Sequence, residues 1–263
     1  MIAFATSAAY RDLVPSDRAA ADALRARGHE VVPAVWSEPR DWSAFDAVVV
    51  RSCWDYHLRL AEFASWLDLV GPRLVNAVDL VRWNIRKTYL GELAAAGFPV
   101  VPTTFVDAGV VRADERVVVK PVVSASAHET FVLEPGESRE VCDAMVQPFV
   151  EAIHDGEWSL IAIDGQYAHA MLKRAKPGDF RVQRDHGGTA VPADPPKELI
   201  ALAEELVAWL PERPAFARVD LVNGPLLMEL ELIEPELFLD VAPESAEKLA
   251  DAITRLCADR AST

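Results

Sequence analysis

The sequence predicts an α/β lobe followed by a longer α+β body, and three observations carry that reading. Apolar runs alternate with helical stretches over residues 1–80, as in a small βαβ unit. After Gly97 the texture changes to short apolar runs separated by turn residues, the pattern of antiparallel sheets. The chain has 263 residues, 51% of them hydrophobic, enough to bury a substantial core in one unit or two joined lobes. The expected divisions are a first lobe at 1–80, a small subdomain at 81–146 and a C-terminal subdomain at 147–263.

Taken in order, residues 1–6 read as a first strand. Ser16 is set to cap a helix over 17–27, which Gly28 closes. A strand resumes over 29–36, and the continuous apolar run at 46–50 suits a strand covered on both faces. A helix at 60–70, a short strand at 74–76 and a helix at 87–96 follow. Strands are then expected at 100–106, 116–123, 129–133, 145–150, 158–164 and 166–172, with a helix at 195–209. A hairpin over 216–222 and 226–233 and a helix over 245–258 complete the chain.

Composition narrows the function classes. A net charge of −15 argues against an extended nucleic-acid surface or an anionic membrane as partner, since both require excess Lys and Arg. No apolar run reaches the roughly 18 residues of a transmembrane helix, and the start lacks the basic, apolar pattern of a signal peptide. Cys53, Cys142 and Cys257 are few and far apart, which fits a reducing cytoplasm. His57, His128, His154, His169 and His186 show no metal-ligand spacing and read as structural or surface residues.

The hairpin carries the strongest local chemistry. Asn223-Gly224 between two apolar runs marks a two-residue turn, which would set Val222 opposite Pro225 and Asp220 opposite Leu227. Asp220, Glu229 and Glu231 then share one face, with Asp220 and Glu229 as diagonal neighbours roughly 7–8 Å apart. Three carboxylates on one face repel unless something positive lies among them, and a hard divalent cation bridging them to phosphate is the favoured answer. The alternative is a solvated face balanced by Arg218. From Glu229 to Glu247 there are seven acidic residues and no basic one; Glu234 and Glu236 flank Pro235 and read mainly as the end of the strand.

Against this acidity, residues 173–184 hold five basic side chains and one acidic, followed by Asp185-His186-Gly187-Gly188. That is the local cation density a polyphosphate needs, with Arg181 suited to a transferring phosphoryl group. Gly188 would allow backbone to approach a ligand. A solvated basic loop is the equal alternative. Lys120 ends the run Val117-Val118-Val119 and so requires an anionic partner; the small residues Ser124-Ala125-Ser126-Ala127 after it are candidates for a phosphate flap. Arg51, at the carboxyl end of an apolar strand, is a candidate clamp for a substrate carboxylate, with Asp55 beside it.

Together these segments resemble the ATP-grasp ligases, particularly the branch of bacterial glutathione synthetase and the RimK-type ligases, over roughly residues 75–245. Asn84-Ile85-Arg86-Lys87 resembles the family's Asn-x-x-Lys, and Val118-Val119-Lys120-Pro121 its second phosphate-binding lysine. Gln147-Pro148-Phe149-Val150 is similar to the hinge that meets adenine, and Glu157 falls where an acidic residue lies near the ribose. Lys176-Pro177-Gly178-Asp179-Phe180-Arg181 with Gly187-Gly188 is similar to the RimK-type loop, whose arginine stabilises an acyl-phosphate. Asp220 and Glu229 match two magnesium ligands, while Glu231 stands where the family usually has Asn, and the flap lacks glycine. The segments 51–56 and 229–239 resemble cycloserine-type cyclising ligases.

The resemblance implies an ATP-grasp body whose two subdomains clasp ATP with antiparallel sheets. It also implies two Mg²⁺ ions, Mn²⁺ being an acceptable substitute, and a small carboxylate joined to an amine through an acyl-phosphate. Lys120 and Arg181 would be catalytic; Lys87, Gln147, Phe149, Val150, Glu157 and Lys173 would contact nucleotide; Arg51, Asp55, Arg181 and Gly188 would contact substrate. A homodimer is compatible with this reading. A small-molecule kinase of the same fold and a non-catalytic nucleotide-binding protein remain as alternatives.

Overall fold

The computed structural model describes residues 1–183 and 186–261, so Arg184 and Asp185 of the basic segment lie outside the described residues. Strands β1 (Ile2–Thr6), β2 (Val31–Val35), β3 (Ala47–Val50) and β4 (Leu74–Val75) form a parallel sheet in the order β2-β1-β3-β4. Their near-continuous apolar sequence is explained by cover on both sides. One face, including Ile2, Phe4 and Val49, packs on Leu24 of α1 (Pro15–Ala26) and on Leu249 and Ile253 of α6 (Pro243–Ala261). The other, including Ala5, Val48 and Val50, meets Trp36, Trp42 and Phe63 and Leu67 of α2 (Leu60–Val70). Full burial of each such large side chain stabilises the lobe by about 1.5–3 kcal/mol.

Helix α1 starts at Pro15, with Val14 in the capping position, rather than at a Ser16 cap. Proline lacks an N–H and presets helical φ, so it opens the helix itself. Ser16 Oγ is free to accept from Leu239 N at 3.0 Å, tying the first lobe to the chain after the hairpin. A helix at α3 (Val78–Ile85) was not anticipated. It ends where Arg86 is extended, and α4 (Tyr89–Ala95) replaces the single helix expected over 87–96.

The body contains two antiparallel sheets. The first has the order β5-β8-β6-β7, from β5 (Thr104–Arg112), β6 (Val117–Pro121), β7 (Phe131–Leu133) and β8 (Ser138–Pro148). The second has the order β11-β10-β9-β12-β13, from β9 (Glu157–Ile163), β10 (Gln166–Arg174), β11 (Thr189–Pro192), β12 (Phe216–Val222) and β13 (Leu226–Glu231). Leu199, Ala203 and Leu206 of α5 (Lys197–Trp209) cover one face of that second sheet. The start of β8 is exposed and polar, which hid it from a reading based on apolar runs. Among the described residues, no helix is long and apolar enough to cross a membrane.

The hairpin register differs from the expected one. Asp220 pairs directly with Glu229 and Arg218 with Glu231, while Leu221 meets Leu227 and Val222 meets Leu226. A bulge between Asp220 and Leu221 produces the shift, leaving Met228 as the extra residue. The outer edge of β13 explains it: Leu227 N donates to Pro99 O at 2.7 Å, and Leu227 O accepts from Val101 N at 3.0 Å. The turn therefore spans Asn223, Gly224 and Pro225, with positive φ at Asn223 and Gly224. Leu227 does not share the carboxylate face; it is fully buried.

Candidate active site

A cavity of about 370 Å³ is walled by the first lobe, both sheets of the body and the chain after β13. It gathers most of the residues singled out in the sequence: Lys87, Lys120, Gln147, Phe149, Val150, Glu157, Lys173, Arg181, Asp220, Glu229 and Glu231. Its apolar part comes from Val118 on β6, the stretch after β8 and Phe180, whose ring meets Phe149 edge-on at 5.9 Å. Arg116 covers Phe149 with its guanidinium 3.8 Å from the ring centroid, and Gln147 Nε2 donates to Thr103 Oγ1 at 2.9 Å. Both contacts hold the hinge segment in a fixed orientation, leaving a flat slot suited to an aromatic base.

The floor is charged and closely paired. Lys173 reaches Asp220 Oδ2 at 3.1 Å and also pairs with Glu157. Arg218 donates to Asp220 Oδ2 at 3.0 Å and to Glu231, and Ser159 Oγ donates to Asp220 Oδ1. Lys87 Nζ lies 2.9 Å from Glu229 Oε1 and donates to Ser124 O at 2.7 Å. Burial alone would raise the Asp220 carboxyl, but Arg218 and Lys173 outweigh it and hold it down at about 2. Burial, with Glu229 and Asp220 nearby, pushes Glu231 up to about 7 despite Arg218. Burial also pushes the Lys120 ammonium down, against the opposing pull of Glu229 and Glu157, and its Nζ lies 3.4 Å from Met228 Sδ.

The positive charge expected among the three carboxylates is therefore supplied here by Arg218, Lys173 and Lys87. Among the described residues, no three Asp, Glu, His or Cys side chains converge into a ready metal cage. Each carboxylate nonetheless presents hard oxygen to the cavity, the donor chemistry that Mg²⁺ prefers, so the set fits that ion once a lysine or arginine yields. On the loop above, Asp179 grips Arg181 in a two-pronged pair, Nη2 to Oδ2 at 2.9 Å and Nε to Oδ1 at 3.1 Å. This pairing holds the Asp179 carboxyl far below its ordinary value and aims the guanidinium from a partly exposed position.

Three expected substrate contacts are corrected. Arg51 is 1% exposed and does not line the cavity. Its Nε donates to Asp17 Oδ1 at 2.8 Å and its Nη2 to Pro235 O at 2.8 Å, so it braces the first lobe against the chain after β13. Asp55 accepts from Trp36 Nε1 at 2.8 Å and is likewise outside the lining. Gly188 packs on its own loop: a Cβ there would lie 2.1 Å from Val182 O, so the glycine permits a backbone crossing rather than a ligand approach.

Two other residues contribute in ways the sequence did not indicate. Asn84 Nδ2 donates to Leu230 O and its Oδ1 accepts from Leu232 N, both at 2.8 Å, anchoring β13. Glu234, read from sequence mainly as a strand end, lines the cavity at 8% exposure. Burial, with Glu231 and Glu229 adding repulsion, pushes its carboxyl up to about 8. Its predecessor pattern, an acid three residues beyond Glu231 in an irregular stretch, could have flagged it only with the fold in hand.

Comparison with known proteins agrees with this geometry. Residues 2–76 match the family described as D-cycloserine synthetase DcsG, N-terminal domain, and residues 108–245 match prokaryotic glutathione synthetase, ATP-grasp domain. The cycloserine biosynthesis protein DcsG of Streptomyces lavendulae is 34% identical over 258 residues, spanning 81% of this chain and 84% of that protein. The glutathione synthetase of Prochlorococcus marinus (strain MIT 9313) is 28% identical over 207 residues, spanning 74% of this chain and 62% of that protein. The crystal structure of D-cycloserine synthetase DcsG superposes with a TM-score of 0.80 at 30% identity, covering 97% of this chain and 99% of that one. With a parallel first lobe, a body of two antiparallel sheets and a matching ATP-grasp domain, the chain belongs to the ATP-grasp ligases, ADP-forming enzymes that use ATP and Mg²⁺.

Proposed function

We propose that the protein activates the carboxylate of an amino acid or small peptide as an acyl-phosphate and joins it to an amine or similar nucleophile. The observation that carries this reading is the convergence of Lys87, Lys120, Arg181 and three acidic side chains of the hairpin in one cavity with an apolar slot. In the first step a carboxylate oxygen attacks the γ-phosphorus and the bond to the β-phosphate oxygen breaks, releasing ADP. In the second a nitrogen attacks the acyl carbon, loses a proton, and inorganic phosphate departs.

The chain's own residues contribute position and charge rather than a covalent bond. Phe149 and Val150 form the base slot, with Gln147 fixing the strand end. Lys87 and Lys120 bring ammonium groups to the phosphate oxygens, and Arg181, held by Asp179, meets the charge that builds on the transferring phosphoryl group. Asp220, Glu229 and Glu231 would hold Mg²⁺, two ions by analogy with the family and with Mn²⁺ as a substitute. When bound, the metal neutralises phosphate charge. For that, Lys87 must leave Glu229, which frees it for the nucleotide.

A second reading is supported by the match of both halves of the chain to DcsG: the nucleophile lies in the same molecule as the acid, and the product is a ring. One screen tests both. The protein is supplied with ATP, Mg²⁺, amino acids and small peptides, and nucleotide, phosphate and product mass are measured. Phosphate release that depends on an amine partner supports intermolecular ligation. A product one water lighter than a lone substrate supports ring closure. A phosphorylated product would indicate a kinase, and AMP in place of ADP would overturn the acyl-phosphate step.

A further inference from the structure

Most carboxylates around the cavity have cations of their own. Glu157 and Asp220 share Lys173, Glu229 has Lys87 and Glu231 has Arg218. Glu234 does not. It is nine-tenths buried and lines the cavity, yet among the described residues nothing except its own backbone N–H bonds its carboxylate. Lys87 attracts it from its place on Glu229 and Ser124 O but forms no ion pair with it, and a buried carboxylate without a direct partner is costly and marks a place where something positive can arrive.

The surroundings say what kind of cation fits. Trp54 Nε1 donates to the Glu234 backbone oxygen at 2.9 Å, which fixes the indole against that stretch of backbone. Tyr10 stands edge-on to Trp54 with ring centroids 4.9 Å apart, and both rings line the cavity. Beyond the repulsion from Glu231 and Glu229, what this part of the cavity offers is one unpaired carboxylate and two aromatic rings in the same lining. It is good chemistry for an ammonium group, which donates to the carboxylate and is attracted by ring faces. The rings belong to the first lobe and Glu234 to the chain after β13, so the corner closes only where the two meet.

We propose that Glu234, with Tyr10 and Trp54, forms the subsite that receives the α-ammonium group of an amino-acid substrate. This rests on the carboxylate-ligation reading above and deepens it: the acid to be activated carries an amine that is recognised, not consumed, at Glu234. An analogue without the amine leaves the carboxylate unpaired, the situation in which polar sites reject imperfect ligands most strongly.

The test uses the intact protein with Mg²⁺ and AMPPNP, titrated calorimetrically with D-serine, L-serine and D-cycloserine. The amine-free partners are 3-hydroxypropionate and isoxazolidin-3-one. At least one ammonium-bearing probe is expected to bind about tenfold or more tightly than its amine-free partner. Glu234→Gln is expected to lose about tenfold or more of that affinity while AMPPNP binding stays within about twofold. Equal binding of amine-free partners, full retention by E234Q, or no binding of any ammonium-bearing probe overturns the subsite. If E234Q does not fold, the wild-type comparison decides alone. The two readings fail separately: ADP formation with amine-free acids as efficient as with amino acids sinks only the subsite. Amine-selective binding with no ADP formed from any acid sinks only the ligation reading.

Discussion

Asp220 and Glu229 stand directly opposite each other across β12 and β13, yet their carboxylates are held by different lysines, Lys173 at 3.1 Å and Lys87 at 2.9 Å. The difference separates a proposed metal ligand that also braces the sheet from one that also reaches the flap. Lys173 comes from β10, inside the same sheet, and its partners are almost fully buried. Lys87 comes from the segment between α3 and α4, and its ammonium also holds Ser124 O on the small-residue stretch after β6. Glu229 therefore links the hairpin to the flap, whereas Asp220 locks the sheet.

Paired substitutions separate these roles. Asp220→Asn leaves Lys173 and Arg218 facing a neutral group in the interior and is expected to cost about 3–5 kcal/mol of stability. Glu229→Gln, whose own side chain is 28% exposed but whose partner Lys87 is 10% exposed and keeps only the Ser124 carbonyl, is expected to cost less, about 1–3 kcal/mol. Its ADP formation should nonetheless fall by about a hundredfold, with a higher Mg²⁺ requirement. Urea midpoints and ADP release measured on both variants decide the matter. Equal midpoints would contradict the structural role given to Asp220.

What was legible in the sequence follows physical lines. The β1 and β3 runs and the 60–70 helix carry their pattern locally, and α2 occupies Leu60–Val70 as expected. The acidic face was legible because strand alternation puts Asp220, Glu229 and Glu231 on one side. Its register was not, because the bulge depends on Pro99 and Val101, over a hundred residues away in the chain. Arg51 shows the same limit. A basic residue at a strand end looks like a ligand clamp until the fold brings Asp17 to it. Glu234 acquires meaning only because, among the described residues, no cation forms an ion pair with it, a property of three-dimensional surroundings.

Arg181 gives an experiment on catalysis with little structural cost. Its guanidinium is partly exposed and, among the described residues, pairs locally with Asp179, so Arg181→Met should leave stability within about 0.5 kcal/mol. If it meets charge that builds on the transferring phosphoryl group, kcat should fall about 10²–10³-fold with little change in KM for ATP. Arg181→Lys should not restore activity, because an ammonium cannot reproduce the two-pronged fork that Asp179 grips. Steady-state kinetics check this, and a change confined to KM would instead mark Arg181 as a ground-state contact.

Asn84 is the opposite case, a residue in the cavity wall whose side-chain amide is spent on the backbone of β13. It satisfies Leu230 O and Leu232 N at 2.8 Å each, while Tyr89 Oη donates to the same Leu230 O and accepts from Leu230 N. Asn84→Ala strips a buried carbonyl and a buried amide of a partner and is expected to cost about 2–4 kcal/mol. Since β13 carries Glu229 and Glu231, the same change should weaken ADP formation. Asn84→Asp restores the acceptor for Leu232 N but sets a buried carboxylate oxygen against Leu230 O, so it should be no more stable than the alanine variant. Denaturant unfolding of both variants reads the difference.

His169 sets an acid limit on stability. It sits on β10, with Nδ1 2.8 Å from Ser245 Oγ at the start of α6 and Nε2 3.0 Å from Leu237 O. A carbonyl can only accept, so Nε2 carries the proton and Nδ1 accepts from the serine hydroxyl; a second ring proton would reverse that bond and put a charge in a largely buried place. Burial, only partly offset by Leu237 O, lowers the pKa from 6.5 to about 4. The folded value is depressed, so between these limits the unfolded chain binds more protons. Stability is then full above pH 6.5 and declines as pH falls towards 4, by about 2–3 kcal/mol. Melting profiles across that window should show the decline in the wild type and a flatter profile in His169→Gln, which keeps a side-chain donor without titrating. An equally steep profile in the variant would assign the acid sensitivity to other groups.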